Sequence, residues 1–243
     1  MSDSVTLNGI VISSMPMGEN DRRIVLLTKE RGKISAFARG ARKAKSVLSA
    51  ATNPFAFGTF HAFEGRSSYT VVNAEVKKYF DSLSKDYDAI CLASYFLELA
   101  EYFSNENMDE SERLNLLYLS LSALESGSYD MKLVRRIYEL RTLRLNGEYP
   151  NVFECAECGS KENLVLIDSY FEGILCEKCR KEGMKGIYVS KDLLYVIQFV
   201  LSVDLKKLFT FKLTPELMQE FDSFMEKLMA HNVRHEFKSE KFL

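Results

Sequence analysis

The chain has 243 residues, 47% hydrophobic and 27% charged, with a formal net charge of −2. These proportions exclude a disordered, fibrous or collagen-like chain, and no apolar run approaches the roughly 18 residues that span a bilayer. The first residues lack a basic stretch followed by an apolar one, so no secretory signal is expected and the expected location is the cytoplasm.

The charge is uneven along the chain. It is +6 over residues 1–80, −7 over 81–154, −1 over 155–186 and 0 over 187–243. A basic first third joined to an acidic middle predicts two surfaces with different partners.

Residues 5–80 read as β. A run from Val5 to Ile12 precedes a predicted turn at Met15-Pro16-Met17-Gly18, and a second run spans Arg22 to Thr28. Lys33 to Arg39 alternates with period two, placing Ile34, Ala36 and Ala38 on one face and Lys33, Phe37 and Arg39 on the other. Predicted strands at Pro54–Glu64 and Tyr69–Phe80 complete a five-stranded small barrel or sandwich. No acidic residue occurs from Arg31 through Phe63, and Arg39, Arg42, Lys43 and Lys45 fall within seven positions. This is either a track for a phosphate backbone or a solvated loop. Phe37, Phe55, Phe57, Phe60 and Tyr69 lie nearby, and stacking rings beside cations favour the first reading, although several of these rings must be core.

Residues 86–146 read as three helices: Ala89–Phe103, Ser111–Leu124 and Tyr129–Leu145, the last stopped by Asn146-Gly147. Short connections predict an antiparallel bundle. Asp109, Glu110 and Glu112 fall in a polar loop and read as solvated. Helical periodicity resumes at 190–201 and 214–230, with Ser190 as an N-cap and Pro215 at a first helical position.

Between these helical stretches lie Cys155-x2-Cys158 and Cys176-x2-Cys179, separated by 17 residues that read as a β-hairpin. Two such turns bring four thiolates to the corners of a tetrahedron, and the spacing is that of a zinc ribbon. An odd number of cysteines in a chain without an export signal argues against a disulfide framework. Four cysteine ligands leave no open position, so the expected zinc is structural. Cys91, on an apolar helix face, reads as a small buried hydrophobe. His231 and His235 read as surface residues at a helix end. No phosphate-loop, dinucleotide-binding or metallopeptidase pattern is present, and no catalytic set can be named; the chain is not expected to be an enzyme.

Gly9-Ile10-Val11-Ile12, Gly18-Glu19-Asn20-Asp21-Arg22, Thr28-x-x-x-Gly32-Lys33 and Arg39-Gly40-Ala41-Arg42 with Ser46 follow one another in the order and spacing of a known signature. With the helical body and the four-cysteine insertion, the whole chain resembles the bacterial RecO family of recombination mediators. The resemblance implies an α+β chain. It implies that residues 1–80 form a five-stranded OB-fold barrel, residues 81–150 and 187–243 a helical domain, and residues 151–186 a zinc ribbon inserted in it.

It also implies a function: binding single- and double-stranded DNA, annealing complementary strands and, with RecR, helping to load RecA onto DNA coated by single-strand-binding protein. The setting is recombinational repair at the nucleoid. Carried over by position, Arg22, Arg23, Lys33, Arg39, Arg42, Lys43 and Lys45 become candidate DNA contacts. The acidic, aromatic-ended tail of single-strand-binding protein needs a cation beside an apolar groove. Arg135, Arg136, Arg141 and Arg144 are the basic group offered for it. The competing reading is a zinc-ribbon adaptor that meets proteins and not DNA.

Overall fold

The computed structural model describes residues 4–66 and 68–243. They form two compact units: one from residue 4 to residue 127 with 237–243, and one of residues 128–236.

The first unit is built on a closed barrel of five strands: β1 (Ser4–Met17), β2 (Asp21–Thr28), β3 (Gly32–Ala38), β4 (Phe57–Glu64) and β5 (Tyr69–Lys78). Their order, β1-β2-β3-β5-β4, is that of an OB-fold. Closure rests on the length of β1. Its first half pairs with β4 and its second half with β2, across a bulge between Val11 and Ser13. The expected turn at residues 15–18 is therefore strand as far as Met17, and the chain reverses at Gly18-Glu19-Asn20. The single apolar face of each strand fills the interior with Leu7, Val11, Ile24, Leu26, Ile34, Ala36, Phe60 and Val71.

Gly9 and Gly58 face each other across the β1–β4 pair. A Cβ on Gly58 would lie 2.2 Å from the Glu75 carbonyl oxygen, and one on Gly9 the same distance from that of Leu27. Backbone cannot yield as a side-chain tip can. Gly58→Ala is therefore expected to cost about 3 kcal/mol, the upper end for overpacking, read as a lowered denaturation midpoint with an unchanged m-value.

A short helix α1 (Leu48–Ala51) sits between β3 and β4, so the fourth strand starts at Phe57 rather than at Pro54. After the barrel come α2 (Tyr87–Phe103) and α3 (Ser111–Ser126). Asp86 caps α2 by accepting from the N–H groups of Asp88 and Ala89. The α2–α3 connection is fastened to the β2–β3 turn: Lys33 N–H donates to the Asn105 carbonyl at 2.9 Å, and Asn107 N–H to that of Arg31 at 2.9 Å. Glu110 is buried within this connection and is not solvated as expected. It accepts from Arg113 Nε at 2.8 Å and from Asn105 N–H at 2.9 Å. The C-terminal residues return to this unit, where Phe237 packs edge-on against Tyr95 and Tyr102.

The second unit holds α4 (Met131–Asn146), α5 (Lys191–Ser202) and α6 (Pro215–Asn232), together with the strands β6 (Asn151–Cys155), β7 (Leu164–Asp168), β8 (Gly173–Cys176) and β9 (Gly186–Tyr188) in the order β6-β8-β7-β9. Ser190 caps α5 and Pro215 opens α6, both as expected, and Thr214 caps α6. The helical stretch 86–146 is thus shared: α2 and α3 belong with the barrel, and α4 belongs with the ribbon. No helix among the described residues is long and apolar enough to cross a membrane.

Candidate metal centre and nucleic-acid interface

Cys155 ends β6 and Cys176 ends β8, while Cys158 and Cys179 lie on the turns that follow. Each turn is closed by backbone hydrogen bonds: Gly159 N–H to the Cys155 carbonyl at 2.9 Å, and Cys179 and Arg180 N–H to that of Cys176 at 3.1 and 3.0 Å. Gly159 takes φ +71°, which a side chain would resist. The four Sγ atoms all lie within 4.8 Å of one another. The Cys158–Cys176 Sγ separation is 3.8 Å, and the edge of a tetrahedron with 2.3 Å Zn–S bonds is about 3.8 Å. A disulfide would require about 2.05 Å. The geometry fits a tetrahedral thiophilic ion.

The cluster is also electrostatically graded. Burial pushes the Cys155 thiol up, but N–H groups of Cys176, Cys158 and Glu157 outweigh it and bring it down to about 6. Hydrogen bonds with Cys158 and Cys176 push the Cys179 thiol up to about 12. Metal ligands must be thiolates, so binding a cation here releases protons.

The basic candidates divide by what they hold. The motif residues around 18–22 and 39–46 prove to be one construction. Asp21 accepts the Gly40 N–H at 2.7 Å, the Asn20 carbonyl accepts the Arg42 N–H at 2.8 Å, and Arg42 Nη1 donates to the Gly18 carbonyl at 2.9 Å. This pins the β3–α1 loop against the β1–β2 turn. Arg22 spends its guanidinium on the α1 segment, donating to the Ser49 carbonyl, Thr52 Oγ1 and Asn53 Oδ1 at 2.8, 3.0 and 2.6 Å. Lys33 donates to the Glu101 carbonyl at 2.7 Å. Those two are half-buried tethers. Arg39, Lys43 and Lys45 are exposed, with no ion pair among the described residues, and Arg42 is exposed beyond its single bond.

The strand register supplies what spacing alone could not. Met15 pairs with Arg23, Arg23 with Phe37, Phe37 with Thr70, and Thr70 with Phe63. Residues paired across neighbouring strands share a face, and this row points outward. Met15 and Phe63 are exposed at 52% and 42%, Arg23 is exposed, and Phe37 and Thr70 are half-buried. Of the rings noted in the sequence, Phe60 and Tyr69 are core, and Phe57 lies 4.7 Å from the Tyr118 ring. Phe63 was missed because its strand alternates among small residues; the signal is its odd-numbered place opposite the buried Phe60 and Ala62.

The structure buries two of the four α4 arginines. Arg136 is buried, donating to Asp222 Oδ1 at 2.6 Å and Glu139 Oε2 at 2.9 Å. Arg141 is buried, and its Nη1 donates to the carbonyls of Val200, Leu201 and Val203, each at 3.1 Å, closing the C-terminus of α5. Arg135 is half-buried on Glu139 at 2.9 Å, and Arg144 is half-buried with partners of its own. A tail arriving from outside cannot use Arg136 or Arg141. Another groove on this unit, of about 720 Å³, joins Tyr129, Leu133, Phe211, Leu213 and Met218 to the exposed Lys212; Asp130 and the Lys132–Asp222 ion pair also line it.

An OB-fold barrel with a ringed, cationic outer row, coupled in one chain to a four-cysteine ribbon, is the build of a nucleic-acid-handling protein. Two family profiles match: Recombination protein O N terminal over residues 1–80, and Recombination protein O C terminal over residues 84–241. The chain belongs to the RecO family of DNA repair and recombination proteins. It is 30% identical over 237 residues to "DNA repair protein RecO" of Alkaliphilus metalliredigens, covering 97% of this chain and 96% of the relative. It is 31% identical over 235 residues to the protein of that name from a Thermoanaerobacter species, covering 96% and 94%. It is 30% identical over 241 residues to that of Symbiobacterium thermophilum, covering 98% and 95%.

Proposed function

We propose that this protein is a recombination mediator. It binds single- and double-stranded DNA, anneals complementary strands and, with RecR, helps load RecA onto DNA coated by single-strand-binding protein. The observation that carries this reading is the barrel's outward row of Arg23, Phe37 and Phe63, on the same barrel as the loop cations Arg39, Lys43 and Lys45. Cations offset the phosphate repulsion that keeps two strands apart, and rings hold unpaired bases until a complement arrives. This is binding work, not bond-making, and its setting is the cytoplasm at the nucleoid. The metal is zinc and its role structural: it staples a ribbon too small to hold itself together. The acidic, aromatic-ended tail of single-strand-binding protein fits the groove beside Lys212 better than it fits the α4 arginines.

Replacing Lys43 and Lys45 with Gln tests the reading. Single-strand affinity is expected to fall for every sequence, and its salt slope to shrink by about 0.7 for each lost phosphate contact. Arg22→Gln instead acts through stability, because its partners are within the chain. An unchanged affinity and slope in the lysine variant would remove this loop from the DNA interface.

A further inference from the structure

The ribbon carries a surface that neither the metal nor the barrel requires. The hydrogen bonds that close the second cysteine turn also fix the backbone of Arg180. From there its Nη1 donates to the Tyr188 hydroxyl at 2.7 Å, and its guanidinium carbon lies 5.4 Å from the centre of that ring. Tyr188 ends β9, an edge strand, and is 60% exposed. Close to this pair in the chain are Lys178, Lys181 and Lys185, all exposed and without an ion pair among the described residues. From Lys178 to Tyr188 there are four cations and one acid, Glu182, in a ribbon whose net charge is otherwise negative. An exposed tyrosine contributes little to folding. A tyrosine held by an arginine, with lysines beside it, offers a base a ring to stack on and its phosphates a place to rest.

We propose that the Arg180–Tyr188 face of the ribbon is a second binding site for single-stranded nucleic acid, with Tyr188 stacking on a base and Lys178, Arg180, Lys181 and Lys185 meeting the backbone. It rests on the mediator reading. A protein that pairs two strands has use for two places to hold them, and the ribbon site supplies the second. An acidic peptide would use the same lysines, but every base of a strand carries a face to stack on the exposed ring, which makes a strand the better occupant.

The test uses the full zinc-loaded chain and an iodouracil-substituted oligothymidine. Photo-crosslinks are mapped by mass spectrometry, and affinity is measured against salt. The variants are Tyr188→Leu and the triple Arg180→Gln, Lys181→Gln, Lys185→Gln, each first shown to retain one zinc per chain. A crosslink at Tyr188 is expected. Tyr188→Leu should weaken the ribbon site about fivefold to a hundredfold, and the triple variant should flatten the salt slope by about 2. Crosslinks confined to the barrel, with slope and affinity unchanged in both variants, overturn the ribbon site and leave the mediator reading standing. A wild-type chain that binds no strand overturns both. Unchanged DNA binding, with loss of binding to an acidic peptide, also overturns the proposal and gives this face to a protein partner.

Discussion

Removing zinc from the full chain is expected to melt strands β6–β9 while leaving the barrel unit folded. The ribbon has only a few buried residues of its own, Leu164, Leu166, Ile167, Ile174 and Leu175 among them. A segment of that size falls below the length that holds a core unaided. A structural four-cysteine zinc contributes an apparent 10–16 kcal/mol, roughly, at neutral pH, far more than those side chains can replace. Cys176→Ser is expected to have the same effect, since Cys176 is buried at the end of β8, and its N–H also donates to Cys155 Sγ at 3.3 Å. Hydrogen exchange resolved along the chain would show protection lost over 151–188 and kept over 4–64. Because binding displaces protons from the thiols, zinc occupancy is expected to fall as pH drops. Full protection of the ribbon after metal removal would show that its strands stand without the ion.

Arg136→Met is expected to cost about 3–5 kcal/mol, the penalty for leaving buried carboxylates without their counter-charge. Glu139 is fully buried and takes both Arg135 and Arg136; Asp222 takes Arg136 and also Lys132 at 2.6 Å. Burial opposes the charge on Arg136, and Glu139 and Asp222 outweigh it, so the guanidinium stays cationic. The network joins α4 to α6, and its loss is expected to lower the melting temperature of the second unit by roughly 13–22 °C. Adding Glu139→Gln should recover part of the loss, which a purely steric defect would not allow. Burial pushes the Asp222 carboxyl up, but hydrogen bonds from Lys132 and Arg136 overcome it and hold the group below its ordinary 3.8. Its contribution is therefore complete above that value and disappears as pH falls through the lower folded one. Asp222→Asn should flatten the acid end of the stability curve; an equally steep acid limb would assign that loss to other groups.

How much of this was legible in the sequence follows from the range of the interactions. The five strands, the N-cap at Ser190, the helix start at Pro215 and the cysteine ribbon are set by alternation, capping chemistry and spacing, all local. The motif Thr28-x-x-x-Gly32-Lys33 is likewise local: Thr28 Oγ1 donates to the Gly32 carbonyl at 2.9 Å and accepts the Arg31 N–H at 3.1 Å, making the β2–β3 turn. The cations were legible as residues but not as roles. Nothing in Arg22-Arg23 says that one points to α1 and the other outward; that depends on which face of β2 meets residues 49–53. Arg136 and Arg141 misled for the same reason. Their partners lie 86 and about 60 residues away, in α6 and α5, and only the tertiary packing turns an apparent basic stripe into an internal brace. The division of the helices between the two units was hidden too, because α3 and α4 are separated by only a short loop at Gly127.

The central claim is that this chain brings complementary strands together, and the most direct measurement is an annealing rate. Two complementary oligonucleotides, each first coated with the cognate single-strand-binding protein, are mixed with and without the full chain over a series of salt concentrations. The account predicts a clear acceleration that collapses as salt rises and is weakened by Lys43→Gln with Lys45→Gln. No acceleration, together with no binding to bare strands, would contradict it and turn attention to the groove beside Lys212 as the working surface of a protein adaptor.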